Sequence, residues 1–334
     1  MKFNSIQFLL MSLRIIKTGL LDTVQDHGRY GFQHLGINPS GCMDLFSFRL
    51  ANSLLGNDLN TPILEMHFPA SEILFEQGTI FCLTGAEFSA HLDDIAIPLN
   101  QPVITPKNST LKFKRRLTGE RCYLAVLKGF RIPGWLGSNS TNLKAGAGGY
   151  EGRKLMKGDV LNFGEREEYN NLSERIAFKI LPWRVEGLKI EHTIRFMKGN
   201  EWNWLNKGSE KVLKQEFHIR KESDRMAFRL TGASLKASDN IMISSAVVFG
   251  TIQLLPDGQL IVLMADHQTT GGYPAIGHVI SADLPSLAQL SPGDKISFTA
   301  VDTETAYSEY KDQLTYLSAL QSACRFKMDM YDSL

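Results

Sequence analysis

The chain has 334 residues, of which 43% are hydrophobic and 21% are charged, and its formal net charge is +1 at pH 7. This is ample for a large core, and the length lies where a single core usually splits into two. The near-neutral charge excludes a global field that would steer the protein to nucleic acid or to an anionic membrane surface.

The sequence predicts a cytoplasmic protein without a membrane span. The apolar run Phe8–Met11 is too short for a signal peptide, and no cleavage site of small residues follows it. No stretch of eighteen apolar residues occurs in the chain. Residues 1–10 are therefore predicted to be a loose extension. The cysteines have no Cys-x-x-Cys spacing, which favours reduced, buried thiols over a metal or disulfide site; they are Cys42, Cys82, Cys122 and Cys324.

Most of the chain shows the alternating pattern of short β-strands. Asp257-Gly258 separates the apolar runs Thr251–Leu255 and Gln259–Leu263, which is a strong signal for a hairpin. Further strands are predicted at Ser71–Phe75, Thr79–Leu83, Phe88–Leu92, Thr110–Lys114 and Cys122–Leu127.

Three helices are predicted to interrupt the strands. In the first, apolar residues recur at steps of three and four from Met43 to Leu54, and Gly56 follows the end. A short second helix is predicted over Leu284–Leu290. The tail from Glu304 to about Lys327 has few helix breakers and is predicted to be helical.

A short pattern occurs twice. Gly-Gly-Tyr at 148–150 precedes Gly-Asp at 158–159, and the same order recurs at 271–273 and 293–294, each time before an alternating strand. We therefore predict a mainly β protein built from two related β-barrel domains, with the polar segment Gly164–Arg175 near their boundary. The predicted domains are residues 11–180 and 181–303, followed by a helical tail over residues 304–334.

The densest group of polar side chains follows a predicted buried strand. The run Gln259–Ala265 is apolar, and Asp266–Pro274 then carries an acid, an imidazole, an amide, two hydroxyls and a phenol around a Gly-Gly pair. A rigid strand followed by flexible glycines is typical of a loop that carries a site. The alternative is a solvated turn.

A second candidate lies in residues 23–31. Here Gln25, Asp26 and Arg29 offer an amide, an acid and a guanidinium fork beside two glycines. Such a set suits an anionic or amide-bearing ligand, and an Asp–Arg ion pair that fixes the loop is an equal alternative.

Two further stretches are candidates. Residues 137–141, with a glycine-rich segment behind them, present backbone amides and hydroxyls that suit an oxyanion. They match neither the P-loop nor the Gly-x-Gly-x-x-Gly pattern. Residues Ser223–Met226 form a polar group before an apolar stretch, and a capped turn is the alternative there.

These stretches, in this order, resemble the biotin-dependent carboxyltransferase family, also called allophanate hydrolase subunit 2 or KipA-like. The similarity extends from about Leu13 to Val301, and it implies paired cyclophilin-like β-barrels. Arg is frequent in the family where this chain has His267 and Asn139. The resemblance rests on Thr-Val-Gln-Asp-x-Gly-Arg (23–29), Ser40-Gly41-x-Met43-Asp44, Ala51-Asn52, Leu64-Glu65, Leu136-Gly137-Ser138, Ser223-Asp224-Arg225-Met226, Gly250-Thr251-Ile252-Gln253 and Gln268–Pro274.

The best-characterised bacterial branch implies an enzyme subunit. It would open the lactam of 5-oxoproline to L-glutamate, driven by ATP, together with a KipI-like B subunit and a LamB/YcsF-like A subunit. Phosphorylation of the carbonyl oxygen would activate the lactam, and this needs cations and amides around phosphate. Mg-ATP would be held by this chain or shared with the partner subunit.

The resemblance and the residue types together predict a role in that reaction for the residues of the candidate stretches. Catalytic acid–base groups are predicted at Asp26, Asp266 and His267. Contacts to a small amide or lactam substrate are predicted for Gln25, Arg29, Arg153, Arg225, Gln268, Thr269, Thr270 and Tyr273. An oxyanion or phosphate loop is predicted from Ser138, Asn139, Ser140, Thr141, Gly148 and Gly149. No metal site is predicted.

Two other functions stay open. One is carboxyl transfer from carboxybiotin to urea or a related amide. The chain has only fragments of the biotinylation motif Ala-Met-Lys-Met, at residues 197–199 and 326–328, so biotin is not expected to be attached to it. The other is a KipA-like regulatory protein that antagonises an inhibitor of a histidine kinase.

Overall fold

The structure, a computed structural model, describes residues 10–165, 177–238 and 242–332. It is mainly β, with a first unit of two sheets, a second unit that is a closed barrel, and a long C-terminal helix. The predicted extension 1–10 lies outside these residues except for Leu10, which begins the first strand. The predicted boundary segment Gly164–Arg175 also lies outside them from residue 166 onward.

The first unit contains two antiparallel sheets of six strands each. Their orders are β11-β1-β4-β9-β6-β7 and β12-β8-β5-β10-β3-β2. The strands are β1 (Leu10–Lys17), β2 (Thr23–Gln25), β3 (Ile63–His67), β4 (Glu72–Phe75), β5 (Thr79–Glu87), β6 (Ala90–Leu92), β7 (Ile95–Ala96), β8 (Val103–Thr105), β9 (Ser109–Phe113), β10 (Thr118–Val126), β11 (Val160–Glu165) and β12 (Lys179–Ile180). All five strands predicted between residues 71 and 127 are present, with shifted bounds.

The core of the first unit lies between its two sheets. Phe75 of one sheet stacks on Phe81 of the other, with ring centroids 5.0 Å apart. Every residue of β3 is buried, because helix α1 (Leu45–Leu54) covers the outer face of this second sheet. Asp44 caps α1, since its side chain accepts a hydrogen bond from the Ser47 amide at 2.8 Å.

The second unit is a closed barrel of seven strands in the order β13-β20-β17-β18-β15-β14-β21. Strands β17 and β18 form the predicted hairpin. Strands β16 and β19 pair separately beside the barrel. The strands are β13 (Thr193–Lys198), β14 (Phe217–Ile219), β15 (Ala227–Thr231), β16 (Ser245–Ala246), β17 (Thr251–Leu254), β18 (Leu260–Leu263), β19 (Thr270–Gly271), β20 (Ala275–Val279) and β21 (Lys295–Ala300).

The two units therefore share a strand-rich architecture but differ in closure. The repeated sequence pattern folds into similar turns, because Asp159 accepts from the Met156 amide at 2.8 Å and Asp294 from the Ser291 amide at 2.7 Å. The strands that follow these turns pair differently. Strand β11 runs antiparallel to β1, whereas β21 runs parallel to β13.

The C-terminal helix packs against both units. It is α4 (Thr303–Asp332), and it contains the whole stretch from Glu304 to about Lys327 that the scarcity of helix breakers predicts to be helical. Leu317 and Cys324 are buried in the first core, whereas Ala306 packs beside Ile280 of the barrel unit. The short helices α2 (Ser209–Leu213) and α3 (Leu284–Ala288) and two 3-10 turns (Gln33–Leu35 and Trp202–Trp204) complete the described elements.

Candidate functional site

A cavity of about 300 Å³ lies where the two units and α4 meet. Most of its wall is apolar, with Phe46, Val248 and Leu284 as examples. A largely apolar pocket with a few convergent polar groups is typical of a small-molecule site. The polar groups in its wall include His27, Ser40, Arg49, His267 and Tyr310, together with Tyr30, Gln33, Ser281 and Gln313.

Two glycines bring His27 and Ser40 together. A Cβ atom on Gly28, whose φ is +102°, would lie 2.8 Å from the Ser40 carbonyl oxygen, and one on Gly41 (φ +101°) would lie 2.8 Å from the His27 carbonyl oxygen. Only glycine permits this close approach of the two segments. The Cys42 amide donates to the carbonyl oxygen of Asp26 at 2.9 Å and locks them in place.

Both imidazoles in the cavity wall use Nδ1 within the protein. Nδ1 of His27 lies 3.3 Å from Nη2 of Arg49, which donates to it. Nδ1 of His267 lies 2.5 Å from the carbonyl oxygen of Gln268, to which it donates. These partners leave Nε2 of each ring for a ligand, protonated in neutral His27 and unprotonated in neutral His267.

Burial keeps both rings neutral. It lowers the pKa of His27, and Arg49 lowers it further against the opposing charge of Asp26. Burial also lowers the pKa of His267, opposed by the bond to Gln268 and by Asp266. A neutral donor and a neutral acceptor in one cavity wall suit proton transfer to and from a bound amide.

The predicted oxyanion loop surrounds the carboxylate of Asp26. Oδ1 of Asp26 accepts from Ser138 Oγ at 2.7 Å, from Ser140 Oγ and from the Gly28 amide, and Oδ2 accepts from the Asn139 amide. The structure thus brings two predicted site stretches together, but they bind each other. These contacts fix the loop against the carboxylate, and the catalytic and phosphate-binding roles of these residues stay predictions.

The neighbours of this loop are also held by protein contacts. Thr141 Oγ1 donates to the Val24 carbonyl oxygen at 2.9 Å. Gln25 Nε2 donates to Thr23 Oγ1 and to the Thr141 carbonyl oxygen. Gly148 and Gly149 lie behind the loop and form part of the wall of a second cavity of about 610 Å³.

Arg29 is only 1% exposed and lies beneath the same loop. Its Nη2 donates to the Ser140 carbonyl oxygen, and its Cζ lies 4.5 Å from the centroid of the Trp135 ring. Nε and Nη1 have no hydrogen-bond partner among the described residues. In the same ranges Arg29 forms no salt bridge with Asp26, so the ion pair considered as an alternative is not found.

Arg225 and Asp266 lie in a buried network between the two units. Nε of Arg225 donates to Asp266 Oδ2 at 2.8 Å, Nη1 donates to Glu65, and Nη2 donates to the Gly41 carbonyl oxygen at 2.7 Å. Each guanidinium nitrogen therefore has a protein acceptor, which supports a structural role for Arg225, and its predicted ligand contact stays a prediction. The preceding Asp224 caps the turn, since Oδ1 accepts from the Met226 amide at 2.7 Å.

The remaining predicted residues lie outside the cavity wall. Gln268, Thr269 and Thr270 are at or near the surface beside it, and Tyr273 is 42% exposed. Arg153 is near the surface and binds Asp159 and Glu151. Of all the predicted site residues, His267 alone belongs to the described wall.

Sequence reasoning missed the other polar groups of the cavity. His27 and Ser40 lie inside two of the motifs that carry the family resemblance, at residues 23–29 and 40–44. These motifs could have indicated that both residues belong to a site. Arg49 on α1 and Tyr310 on α4 carried no signal, because only the packing of the two helices brings them together.

The described ranges contain neither a metal cluster nor a membrane helix. No group of three or more His, Cys, Asp or Glu side chains there is placed to hold a metal ion. No helix in the same ranges has the length and apolar character needed to cross a membrane. The four cysteines are buried and unpaired, as the sequence predicted.

Comparison with known proteins identifies the family. The family model "Carboxyltransferase domain, subdomain A and B" matches residues 35–300. The chain belongs to this family. It is 38% identical over 310 residues to the C subunit of 5-oxoprolinase from Escherichia coli (strain K12), a match that covers 92% of this chain and 97% of the relative.

Two further relatives agree with this assignment. The C subunit of 5-oxoprolinase from Haemophilus influenzae is 36% identical over 302 residues, covering 90% of this chain and 94% of the relative. The crystal structure of the Kluyveromyces lactis urea amidolyase is 27% identical with a TM-score of 0.85, covering 96% of this chain and 20% of that much longer one. The carboxyltransferase-type fold therefore extends over nearly the whole chain.

Proposed function

We propose that this protein is the C subunit of an ATP-dependent 5-oxoprolinase, which converts 5-oxoproline to L-glutamate. The observation that carries the proposal is a small, mostly apolar cavity with two neutral imidazoles, in a chain similar over almost its full length to two proteins named as this subunit of 5-oxoprolinase. A five-membered lactam matches this cavity, because its methylene groups suit the apolar wall and its amide suits Nε2 of the two rings.

In the proposed reaction the imidazoles move protons. Nε2 of His267 accepts a proton from the water that attacks the activated lactam carbon. Nε2–H of His27 donates toward the ring nitrogen, which leaves as the amine when the C–N bond breaks. ATP supplies the phosphoryl group that activates the carbonyl oxygen and leaves as ADP. Cleavage of the C–N bond then gives an acyl phosphate, which a second water hydrolyses to the carboxylate of L-glutamate and inorganic phosphate. General acid–base catalysis of this kind typically contributes about 10²- to 10⁴-fold in rate.

The residues of this cavity do not fit a whole nucleotide beside the substrate. The cavity is about 300 Å³, and the hydroxyls of Ser138 and Ser140 donate to Asp26 instead of facing a phosphate. We therefore assign Mg-ATP mainly to the partner subunit.

The proposed partners are a KipI-like B subunit, in direct contact, and a LamB/YcsF-like A subunit. Val248 lies in the cavity wall and is 55% exposed. The polar loop Gln268–Gly272 begins immediately after His267 and has Gln268, Thr270 and Gly272 at the surface. An exposed rim next to a cavity suits a site that a second subunit completes.

Carboxyl transfer from carboxybiotin is the second candidate. The TM-score of 0.85 with the urea amidolyase structure favours it. It differs from the first candidate in its substrate, because urea is neutral whereas 5-oxoproline carries a carboxylate.

The deciding experiment is a glutamate assay on the complex. The chain is co-expressed with its candidate partner subunits and purified by size-exclusion chromatography, where we expect one peak that contains this chain and the B subunit. L-Glutamate release from 5-oxoproline is then measured with and without ATP. Strictly ATP-dependent release supports the proposal. Absence of glutamate, together with urea-dependent activity when a biotinylated partner is supplied, supports carboxyl transfer instead.

A further inference from the structure

Arg49 is a buried cation without a carboxylate partner in the described structure. It is 8% exposed and lies on α1, in the wall of the cavity between the two units. Its contacts are Tyr310 Oη at 3.3 Å from Nη1 and His27 Nδ1 at 3.3 Å from Nη2. Neither partner is a carboxylate, and both distances exceed the roughly 2.7–2.9 Å of charge-assisted hydrogen bonds.

Arg225, another buried cation at the junction, has different partners. Arg225 forms salt bridges with both Glu65 and Asp266. A buried charge that lacks such a partner is unfavourable unless something compensates for it. Since Arg49 faces a cavity that a small molecule can enter, a bound anion is the simplest source of compensation.

We propose that Arg49 binds the carboxylate of the substrate and thereby selects a carboxylate-bearing lactam over a neutral amide. This inference rests on the proposed function and names the residue that would determine its specificity. The planar guanidinium matches a carboxylate in a bidentate contact. His27, which accepts from Nη2 of Arg49 through its Nδ1, then faces the amide part of the same ligand.

The wall around Arg49 favours a small carboxylic acid over a phosphate group. Leu45, Phe46, Leu314 and Leu317 line the same cavity from α1 and α4, so they suit an anion that is carried by a small apolar molecule. Inorganic phosphate and the phosphates of ATP have no such body. A guanidinium can bind either a carboxylate or a phosphate. The test therefore compares a carboxylate ligand with inorganic phosphate.

The test measures binding to the full-length chain by isothermal titration calorimetry. The ligands are L-5-oxoproline, 2-pyrrolidinone, which is the same lactam without the carboxylate, and inorganic phosphate. We expect the wild-type chain to prefer 5-oxoproline over 2-pyrrolidinone by about 10- to 100-fold, the usual effect of a charge-assisted contact. Phosphate should bind more weakly than 5-oxoproline.

Three variants make the result specific to Arg49. Arg49→Gln keeps hydrogen-bonding groups but removes the charge, and it should abolish the preference. Arg49→Lys keeps the positive charge but lacks the planar guanidinium, so its affinity for 5-oxoproline should be lower by about 5-fold or more. This variant also tests the inference if Arg49→Gln does not fold. Arg325→Gln is the matched control, because Arg325 is an exposed arginine on α4, outside this cavity, that pairs with Asp58. It should behave as wild type.

The outcomes separate this inference from the proposed function. An undiminished preference in Arg49→Gln, equal affinity in Arg49→Lys, no binding of 5-oxoproline by the wild-type chain, or tighter binding of phosphate would each overturn the inference. The glutamate assay on the complex tests the function independently. Glutamate release with an unchanged KM in Arg49→Gln would overturn the inference and leave the function standing. An Arg49-dependent preference without ATP-dependent glutamate release would support the binding site and refute the function.

Discussion

Arg225 of the barrel unit and Glu65 of the first unit form a salt bridge that is buried at the junction between them. Glu65 also accepts from Tyr123 Oη at 2.9 Å and from the Met43 amide at 2.8 Å. Burial alone would raise the pKa of Glu65, but the charges of Arg225 and Arg121 outweigh it and hold the pKa below its usual range. This network commits the two units to one relative position.

We expect Arg225→Met to destabilise the protein. The substitution leaves Glu65 and Asp266 buried without their cation, and breaking a buried ion pair in this way costs about 3–5 kcal/mol. Urea unfolding measures the free energy directly. Arg229→Met is the control, since Arg229 is exposed on β15, and it should change the free energy of unfolding by less than about 0.5 kcal/mol.

The same variant separates the structural role of Arg225 from the sequence-based prediction that it holds a ligand anion. A structural role leaves kcat/KM of the folded complex within a few-fold of wild type. A ligand contact would lower kcat/KM by about 10- to 200-fold with stability largely retained. A lower kcat/KM with retained stability would show that Arg225 exchanges its contacts with Glu65 and Asp266 for a contact with the ligand.

Gly148→Ala tests how tightly the loop around Asp26 is packed. A Cβ atom at this position would lie 2.3 Å from the Ser140 carbonyl oxygen and 2.7 Å from Arg29 Nη2. We expect a loss of about 2–4 kcal/mol in the free energy of unfolding, because both the positive φ and the collision must be relieved. Gly137→Ala has a similar φ of +74° with no atom within 4 Å, so it isolates the backbone contribution at about 1 kcal/mol. Equal decreases in the free energy of unfolding for the two variants would mean that the loop moves away from the added Cβ atom at no cost.

The strands and helices were largely predictable because their signals are local. The alternation in residues 71–127, the Asp257-Gly258 turn and the spacing of apolar residues in α1 each depend on a few neighbouring positions. Closure was not predictable in this way. Strand periodicity does not show whether a sheet closes: the seven strands of the second unit form a closed barrel, whereas the strands of the first unit form two six-stranded sheets.

The site was less predictable because its chemistry depends on distant pairings. Asp26 and Ser138 were each recognised as polar groups near glycine, but they are 112 residues apart in the chain and bind each other. Residue type alone cannot show that a donor already has an acceptor. Likewise, Tyr310 reaches the cavity only because α4 packs along α1, and its sequence neighbourhood has no feature of a site.

His67 and Asp22 should give stability opposite dependences on pH. Burial, with a further contribution from Arg121, lowers the pKa of His67 to about 4. Burial raises the pKa of Asp22 to about 6 against hydrogen bonds from Ser71. The contribution of neutral His67 is complete above its unfolded pKa near 6.5 and is lost as the pH falls through 4. The contribution of protonated Asp22 is complete below about 4 and is lost as the pH rises through 6.

Two variants reveal these opposing contributions in unfolding experiments between pH 4 and pH 7. In Asp22→Asn only His67 remains, so stability should fall by about 3 kcal/mol as the pH decreases across this window. In His67→Gln only Asp22 remains, so stability should fall by a similar amount as the pH increases. The difference between the variants removes the titration of all shared groups. Parallel profiles would contradict the assigned protonation states.

His267→Gln should impair the chemical step of the proposed reaction. We expect kcat for ATP-dependent glutamate release to fall by about 10²- to 10⁴-fold with little change in KM, because the ring is assigned to proton transfer and Arg49 to binding. Burial lowers the pKa of His267, opposed by the bond to Gln268 and by Asp266. The wild-type kcat should therefore rise with pH through a value below 6.5, the usual pKa of an imidazole, and this acid limb should be absent from the variant.

His278 provides the matched control for this experiment. Burial also lowers its pKa, and it lies in β20 beside Thr251, outside the cavity wall. His278→Gln should therefore retain both kcat and the acid limb, because its ring is not placed to exchange a proton with a ligand in the cavity. If His267→Gln retained both the wild-type kcat and the acid limb, another group would be the general base. His267 would then only form part of the cavity wall.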